Sequence, residues 1–195
     1  MAEIVIEALQ PEEILEASVV LSRAFVTNPG WVAVFRGRHH PIQGMFRIML
    51  QHSPGQVLLA KESGRIIGGM RMVEWPRCFQ ASPVQILRVL PSMLNVLRGT
   101  LPRALNYVSF AAKHDPKQPH WHLRSIGVLP ERQGQGIGSR LLERFCGHVD
   151  QLGEAGYLET DKTENVRLYE RFGFSVTGEA SVYGVLTWFM WRAPR

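Results

Sequence analysis

A chain of 195 residues, 45% hydrophobic and 20% charged, has the balance of a water-soluble globular protein and enough length for a sizeable core. Its net charge of +5 comes from dispersed basic residues without a long run, which argues against nucleic acid as a partner and leaves a mildly basic surface able to receive an anionic ligand. No apolar run reaches the roughly 18 residues of a membrane span, "MAEIVIEALQPEE" lacks a secretory pattern, and two cysteines make no disulfide framework, so a cytoplasmic chain with free thiols is expected.

Glu3 to Ala8, "EIVIEA", alternates as a first strand. Pro11 suits the first position of a helix, with Glu12 and Glu13 in its opening turn. Ile14, Leu15, Ser18, Leu21 and Phe25 continue it until "TNPG" stops it. A second helix is expected over Ile42 to His52. "QVLLAK" and "RIIGGMRMVEW" are two strands joined by the turn residues "ESG". Residues 76–119 carry helical periods broken by Pro91 and Pro102, which predicts two or three short helices inserted before the fourth strand, "HLRSIGV". A helix then follows, with Ile137, Leu141, Leu142, Phe145 and Val149 at helical spacing. "GYLETD" is a strand and "TENVRLYERFG" a helix, with Thr163 as its cap, Arg171 in the last turn and Gly173 at the stop. "FSVTGEASV" and "YGVLTWFMW" close the chain as a strand pair. The order β-α-α-β-β-(helical insert)-β-α-β-α-β-β predicts one α+β domain over residues 1–195, a mixed, mostly antiparallel sheet of six to seven strands with helices on both faces.

Between the fourth strand and its helix lies "VLPERQGQGIGSRLLERF", with Gly134, Gly136 and Gly138 within five residues. A bare backbone at a helix start leaves several N–H groups unpaired at the positive end of the helix dipole, a ready site for phosphate. The pattern is not a P-loop, since no lysine follows the glycines. Nor is it a dinucleotide fingerprint: counted from Gly134 the sixth position is Ser139, and the loop comes late in the chain.

"QGQGIG", Gln133 to Gly138, with "V-x-P-E-R" just before it, resembles the Q/R-x-x-G-x-G/A signature of the GNAT superfamily of acyl-CoA-dependent acyltransferases. "YLETDKTENVRLYERFGF", Tyr157 to Phe174, is similar to the later motif of that family, in which a strand is followed by N-x-x-x-Y and a G-F turn; the wording of this segment is most like the puromycin N-acetyltransferase-like branch. The resemblance implies the GNAT fold and acetyl-CoA as co-substrate. It places the pyrophosphate on the backbone of Gln133, Gly134, Gln135, Gly136, Ile137, Gly138 and Ser139. It lays the pantetheine arm along Ile126, Gly127 and Val128, where the strand splays from its neighbour. Asn165 would bond that arm, and Tyr169, four residues on and on the same helix face, would protonate the departing thiolate.

The acceptor amine must lose a proton before it can attack. The strand position that carries a carboxylate in many family members is occupied here by Arg124 and Ser125. That leaves the base open among His122, Glu74 and Glu159, with His122 and Glu159 preferred and a structural role standing beside each. Trp31, Phe35, Trp75, Phe79 and Tyr107 are candidates to line the acceptor pocket, with core packing the alternative. His39, His40 and His114 lack converging ligand spacing, so no metal is expected. Cys78 and Cys146 lack the surroundings of a nucleophile, which favours direct transfer in a ternary complex. The expected activity is N-acetylation of a small-molecule or peptide amine, with a possible homodimer; a non-catalytic acyl-CoA sensor of the same fold is the alternative.

Overall fold

The computed structural model describes residues 3–80 and 83–195. Seven strands form one sheet in the order β1-β2-β3-β4-β5-β7-β6. β1 (Ile4–Ala8), β2 (Gln56–Glu62), β3 (Arg65–Glu74) and β4 (Trp121–Val128) run antiparallel, and β5 (Gly156–Thr160) joins β4 in parallel. β7 (Val185–Arg192) then pairs antiparallel with both β5 and β6 (Ser175–Val182). Both hairpin turns follow from their residues. Ser63 and Gly64 have φ of 48° and 77°, and Tyr183 and Gly184 have 57° and 78°, the twin left-handed conformations that a two-residue connection demands.

Helices cover both faces of this mixed sheet. α1 (Ile14–Phe25) sets Ala17 and Val20 against Leu59 and Ile66 on one face, while α6 (Ile137–Leu152) sets Leu141, Leu142 and Phe145 against Ala60, Met70 and Met72 on the other. Neighbouring Leu59 and Ala60 thus serve opposite layers, as strand alternation requires. A separate helical core joins α1 to α2 (Pro29–Phe35), α3 (His39–His52), α4 (Pro83–Leu97) and α5 (Leu101–His114), through Leu21, Phe35, Phe46, Leu97 and Ala104. α7 (Thr163–Arg171) follows β5.

Four local expectations need correction. Pro11 to Glu13 is a 3-10 turn leading into α1 rather than part of the α-helix. "TNPG" ends α1 but also starts α2: the Asn28 side chain accepts the Trp31 N–H at 3.0 Å and Pro29 takes the first helical position. Pro91 does not break the insert, which has two helices in its described residues, because α4 runs through it. The carbonyl that Pro91 leaves without a donor belongs to Leu87, itself 73% exposed, so water can satisfy it. Thr163 is the first residue of α7, with Lys162 at the cap position and no side-chain capping bond.

The insert leaves and rejoins a closed ladder. The Trp75 N–H donates to the His120 carbonyl at 2.9 Å, one step beyond the Glu74–Trp121 pair. At the other edge, Arg192 on β7 donates to both carboxylate oxygens of Asp150 on α6, at 2.5 and 2.8 Å, and to the Phe172 carbonyl behind α7 at 2.9 Å. One guanidinium thereby fixes α6 and α7 relative to the sheet. The bond from Arg192 holds the Asp150 carboxyl below its ordinary range. Its stabilisation is therefore complete above the unfolded carboxyl value of about 4 and is lost as pH falls below it. Asp150→Asn should cost about 1–2 kcal/mol in urea unfolding at pH 7, at the lower end for a charged hydrogen bond because a third of the side chain meets water. The difference from the parent chain should narrow at pH 3.

Candidate active site

The site begins with a fault in the sheet. Arg71 pairs with Ser125 and Met72 with Leu123, so Arg124 is an extra residue in β4, a β-bulge. A bulge bends its strand and re-aims the side chain there. The β4–β5 ladder holds only Trp121–Gly156 and His122–Tyr157, and past the bulge the two strands have no further pairs. The parting leaves a wedge whose β4 side is Ser125 to Val128.

On the α6 side of the wedge lies a cavity of about 520 Å³. Ile126, Gly127 and Val128 form one wall, with Gln133, Gly134, Gly136, Ile137, Gly138 and Ser139 at one end and Asn165 and Tyr169 opposite. Gly134 and Gly136 have φ of 74° and 78°, and a Cβ on either would meet nothing within 4 Å. Backbone handedness, rather than crowding, selects those two glycines, and the space above them is open. Gly136 is the N-cap of α6, whose first bond runs from the Arg140 N–H to the Gly136 carbonyl at 3.0 Å. The amides of Ile137, Gly138 and Ser139 stand before that bond at the positive end of the helix. Arg132, Lys162 and Arg171 add cationic side chains to the rim.

Two members of the loop act through their side chains. Gln133 donates to the Val128 carbonyl at 3.1 Å, and Gln135 accepts from Arg132 Nε at 3.0 Å. Arg132 is in turn held by both oxygens of Glu62 at 2.6 and 2.7 Å, so the loop is braced to β2. Gly127 has a packing reason of its own: a Cβ there would lie 2.9 Å from Ala24 Cβ and from the Phe25 ring on α1. β4 and α1 touch at that glycine.

A second cavity, about 130 Å³, lies on the insert side and shares Phe25, Asn28, Ile126, Asn165 and Tyr169 with the first. Tyr169 is 5% exposed, and burial, with the charge of Asp161 adding, pushes its hydroxyl well above the usual phenol range. It stays protonated at any working pH. Asn165 donates to Thr160 Oγ1 at 3.3 Å, which orients its amide at the same junction.

Glu159 lines the smaller cavity and accepts from His122 Nε2 at 2.6 Å. Burial pushes its carboxyl up, but the charge and hydrogen bond of His122, with Arg124, hold it below the ordinary range. His122 itself is fully buried with Nδ1 3.2 Å from Asp115, so of the preferred pair only Glu159 reaches the cavity. Glu74 is exposed at the end of β3, away from it. Trp31 and Tyr107 line the cavity; Phe35 is core, Trp75 lies outside, and the Phe79 ring backs the Arg124 guanidinium at 4.0 Å. The His114 ring stacks on Phe189 of β7 with centroids 4.5 Å apart, His40 is exposed, and the His39 side chain lies outside the described residues.

Three lining residues escaped the sequence reading. Asp161 accepts from the Gly30 N–H and from Asn28 Nδ2, each at 2.6 Å, and burial raises its carboxyl above the usual value despite those bonds. It lies two residues past Glu159, in the turn that follows β5. Arg71, 6% exposed, bonds the Pro54 carbonyl at 2.6 Å, and burial, with the charge of Arg124, brings its guanidinium down to about 10, still charged at neutral pH. Arg124 has Nε and Nη1 buried without a hydrogen-bond partner, with Nη1 3.5 Å from Glu159. The cavity thus presents two carboxylates and two guanidiniums.

Comparison with known proteins points in one direction. Residues 28–174 match the Acetyltransferase (GNAT) family. An uncharacterized N-acetyltransferase of Schizosaccharomyces pombe is 39% identical over 54 residues, which span 28% of this chain and 22% of that protein. A Corynebacterium glutamicum structure described as histone acetyltransferase HPA2 and related acetyltransferase superposes with a TM-score of 0.73 at 22% identity, over 100% of this chain and 98% of that one. A Salmonella typhimurium structure, the putative acetyltransferase yncA with its cofactor acetyl-CoA, gives 0.58 at 15% identity over 98% and 94%.

Proposed function

The chain belongs to the acetyltransferase (GNAT) family, and from that premise we propose that it transfers an acetyl group from acetyl-CoA directly to a small primary amine that also carries an acidic group. The observation that carries this reading is the pair of cavities meeting at Ile126, Asn165 and Tyr169. One has the backbone donors and cationic rim suited to a diphosphate, and the other has carboxylates suited to an amine.

The loop from Gly134 to Ser139 binds the diphosphate through main-chain N–H groups, with charge-assisted bonds about twice as strong as neutral ones; the Gln133 N–H, expected to join them, is instead donated to the Pro130 carbonyl at 3.3 Å. The unpaired edge of β4 beyond the bulge accepts the amide-bearing pantetheine arm as a substitute for the missing β5 neighbour. Glu159 and Asp161 receive the ammonium group and take its proton, directly or through one water. As the C–N bond forms and the C–S bond breaks, the Tyr169 hydroxyl gives its proton to the sulfur, and the second proton shed by the nitrogen restores that hydroxyl. Arg124 and Arg71 stand ready for the anionic end of the acceptor, since a buried guanidinium with idle N–H groups favours a carboxylate or phosphate partner.

Gly136→Asp should remove measurable acetyl-CoA binding in calorimetry, through repulsion of the diphosphate and strain at a left-handed position; unchanged affinity would refute the loop's role. Tyr169→Phe should lower kcat by about 10²–10⁴ with little change in KM for acetyl-CoA, and full turnover would rule out the acid assignment. Arg124→Met should raise KM about tenfold or more for amines bearing a carboxylate and spare those without one. An equal effect on both classes would count against the acidic acceptor.

A further inference from the structure

Behind Glu159, outside both cavities, Cys78, Asp115, His120 and His122 converge. All four are buried, and one ligand atom from each lies within 4.8 Å of the other three. They come from separate parts of the chain: the segment leaving β3, the residue ending α5, and the start of β4. Cys78 Sγ is 3.8 Å from His120 Nε2, while Asp115 Oδ1 is 3.5 Å from His120 Nε2 and 3.2 Å from His122 Nδ1. The edges of a tetrahedron built from metal–ligand bonds of about 2.0–2.3 Å are about 3.3–3.7 Å.

The outer ring nitrogens are engaged too. His120 Nδ1 lies 2.8 Å from the Gln118 carbonyl, and His122 Nε2 lies 2.6 Å from Glu159. A neutral imidazole has one N–H, yet the buried His122 ring stands between two carboxylates, Asp115 at Nδ1 and Glu159 at Nε2, with the His120 ring centroid 6.1 Å away and Cys78 Sγ facing His120 Nε2. A metal ion removes the conflict. Each ring then keeps one N–H for its outer acceptor and turns a lone pair inward, as metal-bound histidines do.

We propose that Cys78 Sγ, Asp115 Oδ1, His120 Nε2 and His122 Nδ1 form a structural zinc site that fastens both ends of the helical insert to β4. The donor set of one thiolate, two imidazoles and one carboxylate suits zinc, and four protein ligands in a buried site leave no position for a reacting water. Zinc binding releases the thiol proton and leaves His122 Nε2–H aimed at Glu159, so the site also holds the cavity's carboxylate in place.

The test uses the full chain. Metal analysis of protein prepared with zinc and without chelator should find about one zinc per chain. After chelation, cobalt(II) titration should give the intense visible bands of tetrahedral cobalt with a thiolate charge-transfer band, both displaced by zinc. Cys78→Ser should lose the charge-transfer band, and Cys146→Ser, which removes the other thiol, should keep it. Absence of zinc together with no cobalt uptake by the parent chain would overturn the proposal without recourse to any variant. So would an octahedral cobalt spectrum, or a charge-transfer band that persists in Cys78→Ser.

Discussion

The arrangement of the molecule turns on one extra residue in β4. A continuous β4–β5 ladder would seal the middle of the sheet. The bulge at Arg124 bends β4, and pairing with β5 stops at His122. Everything the site uses is then placed by short connections. The loop after β4 delivers the α6 amides, the turn after β5 delivers Asp161, and α7 delivers Asn165 and Tyr169. The sheet is a frame around a gap, and the helices on its two faces keep that gap from closing.

The same bulge links the two halves of the chemistry. It lets Arg124 lie over Phe79, beside Glu159 and next to buried Arg71. Two guanidiniums so close together repel, and burial adds to the cost, which is reflected in the lowered value for Arg71. Such an arrangement is sustained by nearby carboxylates and by an anionic ligand when one is bound. Glu159 supplies part of that balance, with His122 on its far side. The helical insert is therefore part of the site: Tyr107 of α5 lines the smaller cavity, and Phe79 and Asp115, at the ends of the insert, support Arg124 and His122.

What sequence could reveal divides by range. The glycine loop, the strand before it and the helix after it are encoded within one contiguous stretch, and their positive φ angles follow from the glycines themselves. Asn165 and Tyr169 were singled out by the resemblance of their segment to the N-x-x-x-Y motif, and helix spacing adds only that the two share a face. The bulge was not legible, since it exists only in the register between β3 and β4, and Arg124 looked merely like a missing carboxylate. Asp161 was hidden because its significance comes from α2, a helix whose start was masked by a motif that also ends α1. Pro91 misled for the opposite reason: an exposed helix face tolerates a lost hydrogen bond that a buried one would not.

The central claim is that the parting of β4 and β5 is a binding cleft for the acyl donor. A crystal structure of the full chain with acetyl-CoA tests it most directly. The diphosphate is expected on the amides of residues 134–139, the pantetheine arm paired with the β4 edge at Ile126 to Val128, and the sulfur within reach of the Tyr169 hydroxyl. Acetyl-CoA bound on another face, or a wedge closed by continued pairing of β4 with β5, would contradict it.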